Sequence, residues 1–233
     1  TDAVLLNEGV TVNTQGILAG EFLQFSGTIE MAQALKATYQ GTLPLVSDAN
    51  TPRLNLARDK SFLAEVLWQG DIWPLWPALN LVNHDLTGTA DARFSVEGTL
   101  AAPNVNGHLS LANGRYENMH TGFVASDISM RAAITDSHIE LEKLTATDGN
   151  NGRITASGMV DIMPSLNFTA DASLELDQVH IIRLPKLDVT ASSKLAFVKS
   201  HDAMKLSGDI NVDAADVGAL GNNGPTIIEL DVQ

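Results

Sequence analysis

The 233-residue sequence contains no cysteine, which excludes disulfides, thiolate nucleophiles and cysteine-bound metals. Cations are scarce: 14 Lys and Arg stand against 28 Asp and Glu, a formal net charge of −14. A chain this acidic lacks the cationic surface that nucleic-acid phosphates demand. Aromatic residues make up only 5%, and charged residues 18% against the usual ~25%. No run of about 18 apolar residues occurs, so no segment reads as a membrane-spanning helix. Thr1-Asp2-Ala3-Val4 lacks the basic region that opens a secretory leader. The absent initiating Met and a strand-like stretch at 227–232 read as a fragment of a longer protein. Membrane contact is then expected only through parts of the parent chain beyond this piece.

What is abundant is alternation. Hydrophobic residues are 44% of the chain, enough for a substantial core or groove. Leu166, Phe168, Ala170, Ala172, Leu174 and Leu176 alternate with polar neighbours without a break in phase. A helical period would scramble those two faces. The same beat runs through Ala90-Ala92-Phe94-Val96, Ile128-Met130-Ala132-Ile134, Ile154-Ala156-Gly158-Val160-Ile162, Leu206-Gly208-Ile210-Val212 and 35–45. Each run predicts an antiparallel strand with one apolar and one wet face. Asn113-Gly114, 148–152, Met163-Pro164-Ser165 and 222–225 supply turn residues between such runs. The predicted class is all-β, and a strand of about eleven residues would span roughly 36 Å. Strands longer than the usual five or six residues predict a broad, curved, mostly antiparallel sheet rather than a compact sandwich.

One stretch, 62–82, reads as an interruption, with Trp68, Trp73, Trp76, Pro74 and Pro77. Asp71 could cap a short helix near 71–82 that aligns Leu75, Leu79 and Val82. Such a helix would either cover an apolar groove or close one end of the core. The whole chain, 1–233, is read as one continuous segment, with a sub-boundary near 60–86.

Gly98-Thr99-Leu100-Ala101-Ala102-Pro103-Asn104-Val105-Asn106-Gly107-His108-Leu109-Ser110-Leu111 pairs a strand end, a proline corner and a new strand. Fainter copies fall at 206–212 and 20–29, and such repetition favours architectures stacked strand upon strand. With Asn113-Gly114, the stretches 146–158 and 204–210 and Leu86-Thr87-Gly88 after the tryptophans, this pattern resembles the TamB family within the AsmA-like group. The resemblance implies a β-taco, a sheet folded into a trough with an apolar interior, that bridges the periplasm of Gram-negative bacteria. It also implies an inner-membrane anchor on the parent chain, phospholipid transport to the outer membrane, and a TamA-type outer-membrane barrel as partner in surface-protein assembly. Here an anchor and a strand ending in an aromatic residue are missing, which places direct barrel contact by this piece in doubt.

A one-sided apolar sheet must cover that face with a second layer, a helix or a ligand. Acyl chains are the expected ligand, at about 0.8 kcal/mol per buried CH₂. Leu109, Leu111, Ile128, Met130, Ile139, Leu141, Ile154, Val160, Leu166, Phe168, Leu174 and Leu176 are the expected lining; the same residues could form the dry core of a closed sandwich. A structural or adhesive β-solenoid without ligand, and a carbohydrate-active enzyme on a β scaffold, are the competing classes.

Chemistry finds no foothold in the motifs. His84, His108, His120, His138, His180 and His201 include no pair at zinc-clamp spacing, and no metal or cofactor is expected. The stretch 148–152 has its glycine at the wrong place for a calcium loop and Met159 at position twelve, so it reads as a hairpin turn. No Gly-x-Ser-x-Gly and no glycine-rich phosphate loop occurs. The chain is not expected to be an enzyme.

Overall fold

The computed structural model describes residues 10–32, 34–48, 51–74, 81–162, 168–200 and 202–218. They form thirteen strands: β1 (Val10–Ala19), β2 (Phe22–Met31), β3 (Leu35–Asp48), β4 (Thr51–Leu56), β5 (Phe62–Asp71), β6 (His84–Thr99), β7 (Ala102–Asn118), β8 (Phe123–Thr135), β9 (His138–Thr147), β10 (Arg153–Ile162), β11 (Phe168–Leu184), β12 (Leu187–Lys199) and β13 (Met204–Val217). All belong to one antiparallel sheet in which chain neighbours are sheet neighbours, except that β3 pairs with both β4 and β5. The protein is all-β with a single curved sheet, as the alternation predicts. Among the described residues there is no helix and no helical membrane span.

Two expectations change. The stretch from Phe62 does alternate: Phe62, Ala64, Val66 and Trp68 share one face of β5, and Asp71 is the last residue of that strand. The prolines and tryptophans beyond it obscured the pattern. Half of the helix expected near 71–82 lies at 75–80, outside the described residues. Asn113-Gly114 is not a chain reversal either. Asn113 takes φ 52° inside β7, where the register slips between Leu111 and Gly114. Asn tolerates this left-handed conformation, and a bulge uses it as readily as a turn does.

Register produces continuous apolar rows at right angles to the strands. One row runs Val12, Ile29, Ala37, Trp68, Ala92, Leu109, Ala132, Leu141, Gly158, Ala172, Phe197, Leu206. The next runs Val10, Met31, Leu35, Gly70, Ala90, Leu111, Met130, Leu144, Ala156, Leu174, Leu195, Gly208. Neither contains a polar side chain. Between them, on the opposite face, lie Thr11, Glu30, Lys36, Gln69, Asp91, Ser110 and Arg131, all polar. Gln69 there donates to Asp91 at 2.6 Å.

A one-residue slip would turn a whole strand inside out. In β9 the bulge at Glu142 prevents one: Leu141 still faces Ala132 and Leu144 still faces Met130. Large and small residues alternate along the first row, with Ala37, Ala92, Ala132 and Gly158 between Trp68, Leu109 and Leu141. Small side chains on the concave face leave the room that curvature requires.

Candidate functional site: an apolar cavity on the concave face

The sheet curls enough that β8 and β11, three places apart, come into contact. At one end both strands outrun the β9–β10 hairpin between them, and the backbone N–H of Arg183 donates to the carbonyl of Thr121 at 2.7 Å. Beneath this closure lie Ala125, Ile128, Ala146, Ile154 and Val179, all buried, with Val179 fully so.

A polar knot ties the hairpin to β11. Asp148, at the hairpin turn, is completely buried. Its Oδ1 accepts from the backbone N–H groups of Asn150 (2.9 Å) and Gly152 (3.0 Å), and Oδ2 from the backbone N–H of His180 (3.1 Å). His180 Nδ1 also donates to Oδ2 at 2.6 Å, so the ring carries its proton on Nδ1. Burial pushes the Asp148 carboxyl up, but the hydrogen bonds from His180, Asn150 and Gly152 outweigh it and hold the group at about 2. The 148–152 stretch is thus the turn that sequence predicts, with its carboxylate occupied by the protein's own donors. Among the described residues no group of three or more His, Asp and Glu is placed to hold a metal ion.

From this closed end a cavity of about 790 Å³ extends along the concave face from β5 to β11. Its wall includes Trp68, Ala90, Ala92, Phe94, Leu109, Leu111, Tyr116, Phe123, Ile128, Met130, Leu144, Ile154, Leu174, Leu176 and Ile181. No charged residue takes part; the few polar groups belong to Asn118, Thr121, Tyr116 and Trp68. Tyr116 keeps its hydroxyl satisfied against His84 Nδ1 at 2.6 Å and packs on Phe123 with ring centroids 6.1 Å apart.

Of the residues expected as lining, Leu109, Leu111, Ile128, Met130, Ile154, Leu174 and Leu176 come together in this wall. Ile139, Leu141 and Val160 share the concave face but sit farther along it, with Ile139 directly opposite Val160. Phe168 is 41% exposed, with Lys199 Nζ 4.3 Å from its ring centroid. Leu166 lies outside the described residues. Trp68, Tyr116, Phe123 and Ile181 are wall residues that the sequence reading missed. Trp68 carried a readable signal, the Phe62-Ala64-Val66 beat that leads into it.

The fold and cavity together define a class: open, curved, single-sheet β proteins with an uncharged apolar groove on one face. Residues 142–232 match the TamB C-terminal domain, which supports membership of the TamB family for this chain. The match begins within β9 and covers Leu144, Ile154, Leu174, Leu176 and Ile181 of the cavity wall. The family points to a bacterial envelope protein. No curated protein and no solved structure matches the chain.

Proposed function

We propose that the chain is a periplasmic segment of a TamB-like bridge that carries phospholipid acyl chains along its apolar groove between the inner and outer membranes. In the parent protein, anchored in the inner membrane, it supports outer-membrane protein assembly together with a TamA-type barrel. The segment acts by binding, without catalysis.

The observation that carries this reading is the continuity of the two apolar rows. They cross twelve strands without a polar side chain, roughly 53 Å at strand spacing. Hydrocarbon contact is non-directional, so a tail moving along such rows meets neither a charge to desolvate nor one deep well. The antiparallel meander also differs from the coils of a β-solenoid, in which successive turns would enclose the apolar face.

A photocrosslinker placed in cells at Met130, on the concave face, is expected to form lipid adducts. The same group at neighbouring Arg131, on the convex face, is expected to form none. Folded protein without adducts at Met130, Leu111 and Leu174 would remove the conduit reading.

A further inference from the structure

Among the described residues, two buried polar side-chain atoms lack a hydrogen-bond partner: Trp68 Nε1 and Ser193 Oγ. Trp68 belongs to the wall of the apolar cavity, and Ser193 stands directly opposite the wall residue Leu176. Tryptophan N–H groups buried in proteins normally find an acceptor. The other amphipathic aromatic of the same wall, Tyr116, has its partner in His84. Trp68 instead lies between Ala37 and Ala92, whose methyl groups offer nothing to accept.

The missing acceptor is constrained by the cavity. No wall residue is cationic, so a phosphate or carboxylate entering it would lose its hydration without compensation. A neutral carbonyl attached to hydrocarbon meets both conditions. In a diacyl phospholipid that group is the ester, at the junction of tail and headgroup. We infer that Trp68 is the specificity-determining residue of the cavity, donating its indole N–H to an acyl-ester carbonyl of a bound diacyl phospholipid. This rests on the groove reading above and adds a fixed station to it. The N–H is covered in the structure, so the bond requires the indole to turn about χ2, a broad torsion.

The test compares two lipids with the same tails and headgroup: diacyl phosphatidylethanolamine and its dialkyl ether analogue, which has no carbonyl. The 233-residue chain is incubated with vesicles of each, and bound lipid is counted by native mass spectrometry. One neutral hydrogen bond corresponds to a preference of about 5-fold for the ester. Trp68→Phe keeps the ring on Ala37 and Ala92 and is expected to bring the ratio to about one. Equal uptake of both lipids by the unaltered chain, or a preference that survives Trp68→Phe, overturns the assignment while leaving the groove intact. Uptake of neither lipid overturns the groove reading itself. A second measurement is independent of that variant. In a Trp73→Phe, Trp76→Phe chain, where Trp68 is the sole indole, its N–H proton resonance is expected to move downfield with the ester lipid only. An unmoved resonance with ester lipid bound also overturns the assignment.

Discussion

Arg183 of β11 and Thr121, in the turn that leads into β8, share a backbone hydrogen bond of 2.7 Å, although β8 and β11 are three places apart in the sheet. In a flat sheet three strand spacings amount to about 14 Å. The concave face is therefore closed at this end by main chain, not by a second layer, and the cavity begins where that closure stops.

Gly122 makes the approach feasible. Its φ is +67°, and a Cβ there would sit 2.1 Å from the Arg183 carbonyl oxygen. Gly122→Ala is expected to cost about 1–3 kcal/mol and to speed hydrogen exchange at the Arg183 amide. Urea unfolding and amide exchange check both; an unchanged midpoint with unchanged protection refutes the strap.

Asp148 predicts an acid limit. Its folded-state value of about 2 lies below the ordinary 3.8, so its stabilisation is complete above the ordinary value. It is lost as pH falls through about 2, and amounts to about 2 kcal/mol. Asp148→Asn is expected to flatten this part of the stability profile between pH 5 and 2. A slope equal to that of the unaltered chain would assign the acid sensitivity to other carboxylates.

Burial should separate the interior of the concave face from its β13 edge. Ile128, 7% exposed over Gly114, is expected to lose about 2–4 kcal/mol as Ile128→Ala. Leu206, 67% exposed on β13, is expected to lose less than about 0.5 kcal/mol as Leu206→Ala. Equal losses at both positions would mean that β13 is covered in solution.

Polarity in the groove should matter more than polarity outside it. Leu174→Asp places a charge in the uncharged wall and is expected to lower lipid uptake by about tenfold or more. Asp171→Asn, on the outer face of the same strand, is expected to leave uptake unchanged. Circular dichroism verifies strand content in each, and Leu174→Gln provides a milder change should the charge unfold the sheet. Uptake insensitive to both Leu174 variants would remove this part of the cavity from the path.

Alternation made the strands and their two faces legible, because side-chain direction in a strand depends only on neighbours. Leu174, Leu176, Met130 and Leu109 were assigned to the concave face on that basis. Register and curl depend on pairs far apart in the chain, and there local pattern has no purchase. Asp148 and His180 are 32 positions apart, and nothing in 148–152 announces a carboxylate that reaches β11. Bulges misled for a related reason: Asn113-Gly114 has the chemistry of a turn, and only the partner strand determines that it is an insertion within β7. Val160 and Ile139 pair on the correct face, yet neither lines the cavity.

The meander, in which every strand after β5 adds beside the last, has a consequence for how such a protein can vary. Duplicating one hairpin would lengthen the corridor by two strand spacings, about 9.5 Å, and leave every existing pairing in place. Under the bridging role proposed above, tandem insertion would lengthen the span with no redesign of the parts already there.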